Sequence, residues 1–152
     1  MLIRHFVRQS NIPVIQKSGI IQLEGTNFPA LGMPGNSMYE RGMCDRGKLP
    51  RLVWLTKAKD CKTADGTGMV KSIQPFVRVS YPILHAFECD SDDVAAVPWI
   101  KYKRKFTNSK KTWNCINILD MSARFGGDDP DDYYVCEQPI DLSKCKLVVI
   151  NN

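Results

Sequence analysis

Short apolar runs punctuated by turn-forming residues dominate this chain, and their spacing predicts a strand-rich domain with little helix. Residues 2–7 read as a first strand with His5 inside it. Ser10 and Asn11 then offer a helix N-cap, Pro13 is tolerated in a first turn, and Gly19 suits the stop. Ile12 and Ile15, three apart, mark the buried face of a short helix over residues 12–18. Residues 20–23 predict a second strand, and residues 52–55 a third that ends at Thr56. A further strand is expected over residues 76–81, with Arg78 and Ser80 on one face and Val77 and Val79 on the other.

Residues 100–106 alternate with period two. Lys101, Lys103 and Lys105 point one way, and Ile100, Tyr102, Arg104 and Phe106 the other. The polar stretch 107–111 and the apolar stretch 113–119 complete an expected hairpin. Gly126, Gly127 and the aspartates up to Asp132 form a turn cluster. Residues 133–137 and 146–150 close the chain as strands. Residues 90–93 make an acidic turn or helix start, and residues 57–68 a polar loop. The stretch 25–50 is rich in Gly and Pro and has no apolar period; it is either a surface excursion or a lid over a site. With no repeat and no linker, residues 1–152 read as a single α+β domain with one or two short helices.

Composition narrows the class. With 43% hydrophobic and 24% charged residues, wholesale disorder is excluded. No stretch approaches the ~20 apolar residues of a membrane span. The chain opens as a strand rather than as a leader, which predicts a cytoplasmic protein. None of the six cysteines has a zinc-site spacing to another Cys or His, so no metal is expected and the thiols are read as buried or free. The net charge of +5 suits nucleic acid, a phosphate-bearing cofactor or an acidic protein partner.

Three stretches carry a resemblance when taken in order: the strand with His5 and its following helix ending Lys17-Ser18-Gly19, the strand Arg51-Leu52-Val53-Trp54-Leu55-Thr56, and the late strand that ends at Glu137. This order resembles the ADP-ribosyltransferase superfamily, especially small bacterial and phage members and DNA-targeting toxins. The resemblance implies a split β-sheet core and a mono-ADP-ribosyltransferase that uses NAD as substrate. Its implied setting is a toxin or a phage or mobile-element effector modifying a macromolecule, in a host cytoplasm if it is phage-encoded. The chain departs from the family where Phe6 and Val7 follow His5, where no Ser-Thr-Ser motif surrounds Thr56, and where Val135 stands two before Glu137. The last departure argues against arginine as acceptor.

Transfer of ADP-ribose breaks the nicotinamide–ribose bond through an oxocarbenium-like transition state, which a fixed carboxylate stabilises. By resemblance Glu137 is that catalytic carboxylate, and it also holds the ribose 2′-hydroxyl. His5 would hydrogen-bond the adenosine-side ribose, and Thr56 the ribose or the nicotinamide amide. Trp54, Tyr81 and Tyr39 are candidates to stack on the nicotinamide ring. Arg4, Arg51 and Arg78 are candidates for the pyrophosphate. His85 is expected to be structural.

Lys101, Lys103, Arg104 and Lys105, followed by Lys110 and Lys111, lie among Tyr102, Phe106 and Trp113. Cations interleaved with rings suit nucleic acid, and a solvated charged edge is the plainer alternative. A second function therefore stands beside the first: a non-catalytic binder of nucleic acid or of a host protein through residues 101–111. The aspartates before Glu137 lie where the family recognises its acceptor, and they favour a basic protein surface. NAD-dependent RNA 2′-phosphotransferases, which share the architecture, form a third possibility.

Overall fold

A computed structural model of the chain describes residues 1–7, 9–23, 50–58, 83–125 and 129–151. The expected strand at 76–81, with Arg78 and Tyr81, lies outside the described residues, as do Tyr39, nearly all of the 25–50 stretch and most of the 57–68 loop.

The described residues form an α+β fold. Its strands are β1 (Leu2–Val7), β2 (Ile20–Ile21), β3 (Val53–Lys57), β4 (Ile83–Asp90), β5 (Val97–Pro98), β6 (Tyr133–Cys136), β7 (Ile140–Asp141) and β8 (Lys146–Asn151). Six of them make one sheet in the order β5-β6-β3-β1-β4-β8, while β2 and β7 pair separately. Every pairing is antiparallel.

Helix α1 (Ile12–Ser18) forms where the spacing predicts it, with Pro13 in its first turn. Gly19 ends it at φ 72, and the Gly19 amide donates to the Ile15 carbonyl at 2.9 Å. A residue with a Cβ pays a steric penalty in that left-handed region, which is why Gly serves here. The Gly19 carbonyl in turn accepts from the Leu142 amide at 2.9 Å, tying the helix stop to the end of β7.

The expected hairpin over residues 100–119 is not a hairpin. Residues Trp99–Tyr102 form helix α2, Lys103–Phe106 a 3-10 turn and Lys110–Phe125 the long helix α3. The described residues thus hold three helices, against the one or two expected. The lysines at alternate positions imitate a strand, but the packing follows helical rows. Trp99 and Tyr102 are buried and Phe106 is half-buried, at i, i+3 and i+7. Thr112, Cys115, Ile116 and Asp120 are buried at i, i+3, i+4 and i+8. Ser109 starts α3: its hydroxyl accepts from the Thr112 amide at 3.4 Å, and its carbonyl from the Trp113 amide at 2.8 Å. Strand β4, where the sequence pattern predicts no element, is paired on both sides, with β1 and β8. Ala86 and Phe87, pointing to opposite faces, are both buried.

The two sheet faces carry separate cores. The front one joins Leu52, Trp54, Tyr133 and Val135 to Trp99 and Tyr102 of α2 and to Cys115 and Ile116 of α3. The back one joins Ile3, Val53, Leu55, Phe87, Tyr134 and Cys136 to Ile12 of α1, Ile21 and Ile140. Inside the front core Asp120 is buried. Its carboxylate accepts from the Trp99 indole N–H at 2.8 Å and from the Lys103 ammonium at 2.6 Å. A buried carboxylate needs such partners to be tolerated.

Trp99 is fully buried and anchors α2 to the sheet. Trp99→Ala is expected to destabilise the protein by about 3–5 kcal/mol, read from urea unfolding. At Gly19 an added Cβ would meet nothing within 4 Å. Gly19→Ala should therefore cost only the backbone strain, about 1–2 kcal/mol. A Trp99→Ala loss no larger than that of Gly19→Ala would show that the front core does not hold the helices.

Candidate functional site

The three strands that carry the sequence motifs are consecutive in the sheet, in the order β6-β3-β1. Arg4 of β1 pairs with Thr56 of β3, and Thr56 with Tyr133 of β6. The motifs are far apart in the chain, so this adjacency is a property of the fold.

Their side chains divide between the two faces. His5 lies opposite Phe87, which belongs to the back core. It is buried, and its Nδ1 lies 2.8 Å from the Trp54 carbonyl. A carbonyl only accepts, so Nδ1 carries the proton and the ring braces β1 against β3. Trp54 and Thr56 point to the front. Trp54 packs against Trp99 at 4.7 Å between ring centroids and edge-on to Tyr133 at 6.2 Å. Its indole N–H is buried and has no hydrogen-bond partner among the described residues. Thr56 is half-buried, in one cross-strand row with Tyr133, Arg4, Glu88 and Lys146. Arg4, a pyrophosphate candidate, gives its Nε–H to Glu88 at 2.8 Å, which neutralises it. Arg51 is exposed just before β3. His85, expected to be structural, is half-buried and lies opposite Val7 and Val149.

Glu137 directly follows β6 and is exposed. The strand stops at Cys136 rather than running through Glu137. The Glu137 carboxylate accepts from the Lys105 ammonium at 3.1 Å. Lys105 also stands over the Tyr102 ring, 4.4 Å from its centroid. Lys105 first, and then the Tyr102 hydroxyl, hold the Glu137 carboxyl below its ordinary value of 4.5. Burial chiefly, and then the neighbouring Glu137, push the Tyr102 hydroxyl above its own ordinary value. Glu137 is thus an ionised, oriented carboxylate at the rim of the helical segment. The sequence reading had placed its two partners on a separate basic hairpin.

Comparison with protein-family models, curated proteins and solved structures found no match.

The basic segment has its own geometry. Residues 99–125 carry seven cations and one carboxylate, a net +6 against +5 for the whole chain. Lys101, Arg104, Lys105, Lys110 and Lys111 are exposed. Lys103 is held by buried Asp120 and so belongs to the core. The rings expected to interleave with these cations face inward: Tyr102 is buried, and Phe106 and Trp113 pack on the front core.

The aspartates before β6 are partly engaged. Asp129 accepts from the Asp131 amide at 3.0 Å, and Asp132 pairs with Lys57 at 3.3 Å. Gly126, Gly127 and Asp128 lie outside the described residues. Among the described residues no group of three or more His, Cys, Asp or Glu is placed to hold a metal ion. No described helix is long and apolar enough to cross a membrane.

Glu137 is held below its ordinary value, so the stability it contributes is present above that value and lost as the pH falls through the lowered one. Lys105→Gln removes the largest cause. The Glu137 carboxyl should then titrate closer to 4.5, observed as a rise in midpoint by NMR of the side-chain carboxyl carbon. An unchanged midpoint would show that Tyr102 alone sets the charge of Glu137.

Proposed function

We propose that this protein is a mono-ADP-ribosyltransferase that uses NAD, with Glu137 as the catalytic carboxylate and nucleic acid as the favoured class of acceptor. The observation that carries this reading is the position of Glu137. It directly follows β6, four residues along from Tyr133, the cross-strand partner of Thr56, and it is kept ionised first by Lys105 and then by Tyr102 at the edge of a strongly basic helical surface. A fixed negative charge beside the ribose is what an oxocarbenium-like transition state requires.

Lys105 partly cancels that charge in the resting protein. The pair is more than half exposed on both sides, and exposed ion pairs contribute only about 0–1 kcal/mol. An acceptor phosphate therefore draws Lys105 away at little cost and leaves Glu137 facing the ribose. The engagement of Asp129 and Asp132 with local partners lessens the repulsion that the acidic cluster would offer a phosphate backbone. His5, on the back face, serves in this reading as the brace behind Trp54 rather than as a ribose ligand.

The test uses NAD labelled on its adenylate half, with cell lysate and mixed oligonucleotides offered separately as acceptors. Label should become fixed to nucleic acid, and Glu137→Gln should lower the transfer by roughly 100-fold or more without loss of folding. Equal transfer by that variant would sink the assignment of Glu137.

The +6 charge of residues 99–125 favours a second reading, a non-catalytic nucleic-acid binder. In that case the triple substitution of Lys101, Arg104 and Lys111 by Gln should weaken binding at least tenfold. It should also reduce the slope of log affinity against log salt by roughly 2–3. Affinity unchanged in the triple variant would rule this reading out.

A further inference from the structure

The back core holds a group of cysteines with no part in the chemistry above. The β4–β8 ladder ends with Glu88 opposite Lys146. One step further along the same antiparallel register, Cys89 stands opposite Cys145. Both belong to the back core; Cys89 is buried and Cys145 half-buried. Directly opposed residues on antiparallel strands have Cα atoms about 4.5–5.5 Å apart, within the roughly 4.4–6.8 Å that a disulfide spans. Both are free thiols, and the Cys145 thiol donates to the Asp141 carbonyl at 3.8 Å. The third thiol nearby, Cys136, is buried and donates to the Val94 carbonyl at 3.4 Å.

We propose that Cys89 and Cys145 are a reversible dithiol–disulfide pair, oxidised by exchange with a small-molecule disulfide. Cys145 is the attacking thiol, because it is the one that solvent reaches. Its thiolate attacks one sulfur of the small disulfide, whose S–S bond breaks and releases one small thiol. Cys89 then attacks the Cys145 sulfur of the mixed disulfide and expels the second small thiol, which carries off the Cys89 proton. Two protein thiols are oxidised, and the small disulfide is reduced to two thiols. The neighbouring Cys89 thiol holds the Cys145 thiol below its ordinary pKa, as an attacking thiol requires. Cys145 and burial in turn hold Cys89 above its own, so Cys89 becomes the resolving thiol once Cys145 is consumed.

The product would bolt the start of β8 to the end of β4, across a loop of more than fifty residues. Such a link constrains the unfolded chain strongly.

The experiment incubates the full chain with oxidised glutathione, then combines intact mass with peptide mapping after the remaining thiols are blocked. The expected result is loss of the mass of two hydrogens, a Cys89–Cys145 peptide link, and a melting temperature higher by roughly 5–10 °C. Dithiothreitol should reverse all three. Cys136→Ala should keep the link, whereas Cys89→Ala should stop at glutathione bound on Cys145. A link that replaces either partner by Cys136, Cys44 or Cys61 would overturn the proposal. So would an unchanged mass under conditions that oxidise a dithiol control peptide.

Discussion

The alternation of β3 is the constraint on which the rest depends. Leu52 and Trp54 enter the front core, and Val53 and Leu55 the back one. Four consecutive side chains thus serve two cores, with both β1 and β6 hydrogen-bonded alongside. A slip of one residue would exchange every side chain between the faces, placing Trp54 among the aliphatic residues behind the sheet. It would also part Trp54 from Trp99, and with it the seat of α2. The helical segment, the Tyr102 hydroxyl and the contact with Glu137 all follow from this one register.

Strands and the first helix were legible in the sequence where the signals are local. Helix α1 takes the expected residues because Pro13 and Gly19 punctuate it in the chain itself. Strands β1, β3, β6 and β8 lie within a residue or two of the apolar runs that announce them. Residues 100–119 misled because lysines at alternate positions give a period of two that has no bearing on packing. The helical rows were present in the same residues, but Asp120 stands in the buried row of α3 and blurs the apolar face. A buried aspartate makes sense only once the Trp99 indole and the Lys103 ammonium surround it, and neither contact is visible along the chain. The Cys89–Cys145 opposition was hidden for a related reason: it depends on the register between β4 and β8.

The candidate site divides in the same way. The order of the motifs is a property of the chain, and the fold brings their strands side by side. The face on which each side chain emerges depends on its parity relative to a neighbouring strand, which no local pattern encodes. His5 and Thr56 therefore look like members of one site in the sequence but stand on opposite sides of the sheet. The position of His5 fits the backbone of Trp54 rather than a ligand on the front face.

Two lysines in the basic segment bind carboxylates, and burial makes them different devices. Lys103 meets Asp120 inside the front core, where separating them would strand a buried charge. Lys105 meets Glu137 in solvent, where water compensates either partner on separation. An anion arriving at this surface can thus compete for Lys105 but not for Lys103. The charge beside Glu137 becomes adjustable while the helix that carries it stays fixed. Tyr102 links the two behaviours: its ring lies in the rigid core, and its hydroxyl is the second group that holds the Glu137 carboxyl below its ordinary value, so the ionised form stays favoured when Lys105 leaves.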